Sequence, residues 1–281
     1  MNELQTVEFE ILKEFVRICD ELNLRYYLVC GSALGAAKYG GFIPWDDDVD
    51  VALPRPDYDI FCQRAQDMLP KHLFLQNHKT DPNYPMIFSK IRHSGTTYVE
   101  KSLAKLNMNH GIYIDVFPLD GYPSDRILRE RIEREKYRYG LTRLCCLNVP
   151  LTWKTKILVF AQRLCGIHRC PYKFVENIER KISKYDIVES DVWCNHGNWQ
   201  GKLEYAPRAQ YGEGTFVDFE GLRVRIPKKF DEYLTQKYGD WRADLPESQK
   251  IGHHYYYICD TKRPYKDYIV RSSRYEVEFK K

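Results

Sequence analysis

The chain has 281 residues, with 43 Lys plus Arg against 39 Asp plus Glu and a formal net charge of +4. This near balance does not indicate a nucleic-acid partner, and none is expected. No apolar stretch reaches the length of a membrane span, and the N-terminal segment lacks the pattern of a signal peptide. The nine cysteines are therefore expected to be reduced thiols in a cytoplasmic protein.

Apolar spacing and turn residues predict the secondary structure in chain order. The predicted elements are a helix at 4–22, a strand at 26–30, a helix at 33–39, a strand at 48–53, a helix at 57–69, strands at 86–92 and 112–117, a hairpin at 215–227 and a helix at 228–238. The order predicts an α/β (α+β) fold with a mixed sheet flanked by helices. We expect a catalytic core at 1–125, a mainly helical basic region at 126–200 and a completing segment at 201–281.

The most informative stretch is Trp45-Asp46-Asp47-Asp48-Val49-Asp50, which places four carboxylates within five residues. Such a cluster is costly unless a cation neutralises it. On a strand at 48–53, Asp48 and Asp50 project from one face about 6.5–7 Å apart, which suits Mg²⁺ or Mn²⁺. An exposed acidic turn is the alternative. A calcium loop is excluded, because Val51 stands where that loop requires Gly.

Two further features accompany the aspartates. Gly31-Ser32 lies at a strand-to-helix turn, where free backbone N–H groups can cradle a phosphate. Asp115 lies within an apolar strand, where an unpaired carboxylate is expensive to bury, so it is the predicted third metal ligand. A structural hydrogen-bond acceptor is the alternative for Asp115. Asp120 is expected to be a cap or turn residue.

Several other side chains are candidates with an ordinary structural alternative. Lys38, Lys90 and Arg92 are candidate phosphate contacts, although surface lysines are common. Trp45 and Trp241 suit stacking or a cation–π cage, and equally core packing. His253-His254 are by default exposed or core-bonded. The spacing Cys165-x-x-His168-x-Cys170 lacks a second cysteine pair, so no structural zinc is expected.

The segment 151–164 mixes Trp153 and aliphatic residues with cations. It fits a peripheral contact with the membrane interface, and it also fits an ordinary amphipathic helix packed on the core.

The stretches GSALGAAKYGGFIPWDDDVDVALPRPDYDIF (31–61), FSKIRHSGTTYVE (88–100) and GIYIDVFPLDG (111–121) resemble the LicD family of phosphocholine transferases within the nucleotidyltransferase superfamily. IPKKFDEYLTQKYGDWRADLP (226–246), followed by His253-His254, is similar to the family's closing motif. The resemblance implies a nucleotidyltransferase-like fold in which Gly31-Ser32 is the Gly-Ser turn, Asp48 and Asp50 are the metal pair and Asp115 is the third carboxylate.

The resemblance also implies a reaction. A phospho-alcohol, with phosphocholine as the first expectation, would pass from a CDP-alcohol donor such as CDP-choline to a sugar hydroxyl of a surface glycan or a lipid-linked sugar. The enzyme would then work in the cytoplasm or at the inner face of the membrane. Fukutin-type relatives use CDP-ribitol, so the headgroup stays open. Transfer of NMP and a non-catalytic metal- or phosphate-binding scaffold are the alternatives.

Overall fold

The structure is a computed structural model that describes residues 1–164, 166–167, 171–198, 201–252, 254–271 and 276–279. Its helices are α1 (Glu3–Glu21), α2 (Cys30–Tyr39), α3 (Arg55–Met68), α4 (Arg126–Cys146), α5 (Trp153–Leu164), α6 (Pro171–Ile182), α7 (Arg208–Tyr211) and α8 (Phe230–Tyr238). Its strands are β1 (Tyr27–Leu28), β2 (Asp50–Pro54), β3 (Leu73–Gln76), β4 (Ser89–His93), β5 (Thr97–Glu100), β6 (Ile112–Tyr122), β7 (Val192–Cys194), β8 (Tyr205–Pro207), β9 (Thr215–Phe219), β10 (Leu222–Ile226), β11 (Tyr256–Asp260), β12 (Tyr268–Arg271) and β13 (Glu276–Phe279).

Local sequence signals explain where the first helices begin. Asn2 and Gln5 form a reciprocal capping box at the start of α1, which satisfies two otherwise free backbone N–H groups. The α3 helix carries a proline in its first turn, where the missing N–H costs nothing. The side chain of Asp125 caps α4 by accepting a hydrogen bond from the N–H of Leu128.

The main sheet is mixed and has the strand order β1-β2-β6-β4-β3, with β7 and β8 continuing from the far end of β6. The β2 and β6 strands are parallel, and Asp50 lies opposite Asp115. The β4 strand is antiparallel to β6, and Lys90 also lies opposite Asp115. This register places Asp50, Asp115 and Lys90 in one row across the neighbouring strands β2, β6 and β4.

The hydrophobic core lies between this sheet and the helices α1, α2, α3 and α8. A smaller apolar cluster lies where α4 and α6 pack against each other, around Ile132 and Val175. Charged side chains tie this layer to the sheet. Arg55 forms ion pairs with Asp120 on β6 at 2.6 Å and with Glu179 on α6 at 2.9 Å. The mainly helical region is thereby fixed against the strand that carries Asp115.

The α+β fold with a mixed sheet flanked by helices is confirmed. Two local predictions were wrong. The strand begins at Asp50 rather than at residue 48, so Asp48 lies in the preceding loop and not on a shared strand face. Asp120 is not a turn residue, because β6 continues to Tyr122 and buries its carboxylate against Arg55.

The other outcomes are mixed. The short strands β3, β5, β7, β8 and β11 were not predicted. The boundaries at 125 and 200 stay predictions. His253 and the residues Cys165, His168 and Cys170 lie outside the described residues. Across the part of the chain that the structure describes, no helix combines the length and the hydropathy needed to cross a bilayer.

Candidate active site

The centre of the site is a trio of carboxylates, Asp48, Asp50 and Asp115. One oxygen of each lies within 4.8 Å of an oxygen of the other two. Asp115 is buried, whereas Asp48 and Asp50 are half-buried. The structure thus brings together the three acids predicted as metal ligands, although they come from a loop, the start of β2 and the middle of β6.

Backbone hydrogen bonds fix this arrangement. The N–H of Asp115 donates to the carbonyl of Val49 at 2.8 Å, which locks the aspartate loop onto β6. The N–H of Asp50 donates to the hydroxyl of Ser32 at 2.8 Å. Ser32 is itself buried in the first turn of α2. The predicted Gly-Ser turn therefore positions the start of β2 through its serine.

Gly31 allows a close approach of the loop to α2. A methyl group at this position would lie 2.8 Å from an oxygen of Asp46, closer than a carbon and an oxygen can pack without moving. The Asp46 carboxylate therefore lies against the first turn of α2, where exposed N–H groups favour negative charge. Burial, followed by repulsion from Asp48 and Asp47, nevertheless raises the pKa of Asp46 to about 8.

Lys90 provides the positive charge next to the trio. Its ammonium lies 2.9 Å from Asp115 and 3.7 Å from Glu100, and 3.2 Å from the centre of the Tyr113 ring. Glu100 also pairs with Arg92 at 3.3 Å. Burial alone would raise the pKa of Glu100, but Lys90 and Arg92 outweigh it and hold that pKa at about 2. Glu100 is therefore an anion that shares Lys90 with Asp115.

The carboxylate trio is under electrostatic strain. Burial raises the pKa of Asp50 well above its ordinary value, and repulsion from Asp48 and Asp115 raises it further. Burial also raises the pKa of Asp48 and of Asp115, although Lys90 partly offsets the effect on Asp115. Oxygen ligands at this spacing suit Mg²⁺ or Mn²⁺, and a bound cation would relieve the repulsion. The residues present therefore fit a divalent metal.

His254 closes the site from the C-terminal segment. Its N–H donates to one oxygen of Asp47 at 3.0 Å, and its Nδ1 lies 3.0 Å from the other. Its Nε2 lies 3.7 Å from Asp48. Burial lowers the pKa of His254, but the bond to Asp47 and the charge of Asp48 outweigh it and raise that pKa to about 10. The imidazole is therefore a cation bonded to the aspartate loop, which the sequence did not indicate.

A cavity of about 1140 Å³ opens over these residues. Its wall includes Gly31, the carboxylate trio, Lys90 and His254. Aromatic side chains line the rest, including Trp45 and Trp241. This volume is at the upper end of the range for small-molecule pockets, and it accommodates a nucleotide-sized ligand.

The candidate phosphate contacts differ in their access to the cavity. Lys38 and Lys90 line it. Lys38 already donates to the carbonyls of Arg242 and Ala243, so it also holds the segment after α8. Arg92 is fully buried and bonds Gln76, Glu100 and the carbonyl of Gly111. Arg92 therefore stabilises the Glu100 carboxylate, and we do not assign it a contact with a ligand phosphate.

Trp45 and Trp241 both reach the cavity, and Trp241 is also part of the hydrophobic core. Trp241 is buried, and its indole N–H donates to Asp231 at 3.0 Å. Trp45 meets Tyr39 edge to face at 6.2 Å. Both rings lie in the cavity wall, where they offer surfaces for a planar or cationic group.

Fold and site together define an α+β protein with a carboxylate cluster suited to a divalent metal at the floor of a large polar and aromatic cavity. Comparison with known proteins shows which family this part of the chain resembles. Residues 23–134 match the family model described as LicD/FKTN/FKRP, nucleotidyltransferase domain. This segment includes the Gly-Ser turn and the whole carboxylate trio. The resemblance to the LicD family predicted from the sequence is confirmed over this segment.

Two groups of relatives extend the comparison. The chain is 27% identical to the lipopolysaccharide cholinephosphotransferase LicD of Haemophilus influenzae, over 90% of this chain and 96% of that protein. It is 43% identical over 44 residues to the ribitol 5-phosphate transferase FKRP of Homo sapiens, which is 16% of this chain and 9% of that protein. The first similarity extends well beyond the matched domain, whereas the second is local.

Proposed function

We propose that this protein is a phosphotransferase that moves a phospho-alcohol from a CDP-activated donor to a sugar hydroxyl of a glycan or glycan precursor. Phosphocholine is the first candidate for the transferred group. The observation that carries the proposal is the carboxylate trio under the cavity, within the domain that matches the LicD family. The two relatives are a cholinephosphotransferase and a ribitol 5-phosphate transferase, which is consistent with it.

In this proposal Asp48, Asp50 and Asp115 would hold Mg²⁺ or Mn²⁺, which would supply positive charge to neutralise the donor diphosphate. Lys90, between Asp115 and Glu100, favours the ionised form of Asp115 and faces the same cavity. The first turn of α2 presents backbone N–H groups to donor oxygens, and Lys38 adds a positive charge at the cavity wall.

The reaction is an in-line displacement. The acceptor hydroxyl oxygen forms a bond to the phosphorus that carries the alcohol. The bond from that phosphorus to the CMP oxygen breaks, and CMP leaves with the electron pair. Asp115 accepts the hydroxyl proton as the general base, because it is a carboxylate that lies beside the proposed donor site. Positioning and charge neutralisation supply most of the rate.

A panel of CDP-alcohols tests the proposal. CDP-choline, CDP-ethanolamine, CDP-glycerol and CDP-ribitol are incubated with the full chain, Mg²⁺ and a sugar acceptor, and CMP is measured. We expect metal-dependent CMP release from one donor, lost in Asp50→Ala and retained in Asp20→Asn, which removes an exposed carboxylate from α1. Absence of CMP with every donor, in protein shown to be folded, would reject the proposal.

Transfer of NMP is the second candidate, and the description of the matching domain as a nucleotidyltransferase domain favours it. The same carboxylate trio would serve this reaction. The products separate the two, because NMP transfer from a nucleoside triphosphate releases pyrophosphate whereas phospho-alcohol transfer releases CMP.

A further inference from the structure

The outer face of α5 carries an unusual row of exposed apolar side chains. Trp153, Ile157, Phe160 and Leu164 are 68%, 60%, 64% and 75% exposed. Their spacing of four, three and four residues places them within about 60° of one another around the helix. We call these four residues the α5 stripe. Exposing such a continuous apolar row to water is energetically unfavourable. The row therefore indicates a surface that a partner covers.

The rest of α5 explains which way the stripe points. Val159 is buried, and it packs with Cys145 of α4 and with Ile167. Because Val159 lies about 130° around the helix from the centre of the stripe, the stripe faces away from α4. The helix is thus attached to the protein along one narrow edge, and its apolar row is left uncovered.

The charges beside the stripe identify the partner. Lys154 lies on one side of the apolar row, and Lys156 and Arg163 lie on the other. The segment 151–164 contains no acidic residue. An apolar row that contains tryptophan and phenylalanine, flanked on both sides by cations, matches an anionic lipid surface. For a protein partner, acidic side chains would be expected here as well as the cations.

The length of the helix fixes its orientation. With 12 residues, α5 is about 18 Å long, well short of the roughly 30 Å hydrocarbon core of a bilayer. It therefore lies along the interface, with the stripe among the upper acyl carbons and the lysine side chains at the headgroups.

The chain segment that leads into α5 connects the proposed membrane contact to the cavity. Asn148, Val149 and Pro150 line the cavity, and α5 begins three residues later at Trp153. The N–H of Asn148 donates to the carbonyl of Ser102, another residue of the cavity wall, at 2.7 Å. The stripe thus begins close to the cavity mouth, on a segment that is bonded to its wall.

We infer that α5 docks the protein on an anionic membrane through the stripe and brings the cavity to acceptors held at that surface. The docking itself is independent of the proposed reaction, and its use for a lipid-linked sugar rests on that proposal. Since the stripe side chains are exposed, replacing them should leave folding intact.

Vesicle flotation of the full chain tests the inference. At low salt we expect flotation with phosphatidylcholine vesicles that contain phosphatidylglycerol, and weak flotation with phosphatidylcholine alone. Ile157→Glu should reduce the bound fraction by about tenfold, because it places a carboxylate in the apolar row. The matched control is Val188→Glu, which adds the same acid at a 71% exposed aliphatic residue outside the helix and should bind like the wild type.

Two further measurements separate the alternatives. Quenching of tryptophan fluorescence by brominated lipid should occur in the wild type and fall in Trp153→Phe, which keeps an aromatic ring and should still float. Sedimentation without lipid should show a monomer at all concentrations. No flotation with anionic vesicles, equal loss in Val188→Glu, or self-association that Ile157→Glu abolishes would overturn the inference.

These results are distinguishable from failure of the proposed reaction. Flotation requires neither donor nor metal, and CMP release with a water-soluble acceptor requires no membrane. A protein that floats but releases no CMP would retain the docking inference and lose the proposed function.

Discussion

Asp50→Asn should raise the stability of the metal-free protein and reduce the stabilisation that the protein gains from Mg²⁺. Asp50 lies within 4.8 Å of Asp48 and Asp115, measured between carboxylate oxygens. At that separation two unit charges repel by about 3.5 kcal/mol for an effective dielectric constant of about 20. Lys90 compensates Asp115 at 2.9 Å and His254 partly compensates Asp48 at 3.7 Å, so the repulsion falls chiefly on Asp50. Partial protonation lowers the actual penalty to about 1–3 kcal/mol.

Removing the Asp50 charge should therefore stabilise the metal-free protein. At about 2–4 °C per kcal/mol for a protein of this size class, the melting temperature should rise by about 2–12 °C. The wild type should gain about 2.7 kcal/mol from Mg²⁺ at a concentration of about one hundred times its Kd. Asp50→Asn should lose most of this gain, because one of the three oxygen ligands becomes a neutral amide.

The assay is differential scanning fluorimetry of both proteins in EDTA and in a Mg²⁺ titration. The control is Asp20→Asn, which makes the same charge change on the exposed side of α1 and should leave both quantities unchanged. If Asp50→Asn melted lower than the wild type in EDTA, the claim of uncompensated repulsion would be refuted. If both proteins responded equally to Mg²⁺, Asp50 would not be a ligand.

Glu100→Gln should destabilise the protein by about 3 kcal/mol at neutral pH, since a pKa held at about 2 rather than 4.5 stabilises the folded anion by that amount. Because the pKa is lowered on folding, this difference is present above the unfolded pKa and is lost as the pH falls. Urea unfolding should show it shrinking by about half by about pH 3, and a pH-independent difference would contradict the assignment. Gly111→Ala should cost about 1–3 kcal/mol in the same assay, because its methyl group would lie 2.2 Å from the carbonyl oxygen of His93. Gly140→Ala, in α4 with no neighbouring atom within 4 Å, should instead stabilise by about 1 kcal/mol, and equal effects of the two would contradict the packing argument. Asp120→Ala should cost about 3–5 kcal/mol by leaving Arg55 without its bidentate partner, and an effect below about 1 kcal/mol would show that Glu179 suffices.

The sequence predicted the elements whose signals are local. The α1 helix has regularly spaced apolar residues, and β6 begins with a mostly apolar run, so both were found. The short strands β3 and β5 were missed, because four residues carry too little periodicity to distinguish a strand from a loop. Their positions are set by pairing with β4 and β11, which is information that only the folded chain contains.

The residues of the candidate site divide in the same way, into those with a local sequence signal and those placed by long-range pairing. Asp48, Asp50 and Asp115 were predicted from composition and motif, because four clustered acids and one acid in an apolar strand are conspicuous in any sequence. Glu100 and His254 were not predicted as parts of the site, because a single glutamate or histidine has no local signature. Both come to the aspartates through strand pairing of β5 with β11, which joins residues about 160 positions apart.

The position of His254 also bears on which acids hold the metal. Asp47, Asp48 and His254 form a second group with ligand atoms within 4.8 Å of one another. His254, however, already bonds Asp47 through its backbone N–H and its ring, and the neighbouring acids raise its pKa to about 10. A protonated imidazole has no lone pair for a cation, and in this state His254 offsets one of the two negative charges of its group. The trio of Asp48, Asp50 and Asp115 has three carboxylates with Lys90 beside one of them, and we therefore propose the trio as the metal site and His254 as the residue that holds the aspartate loop.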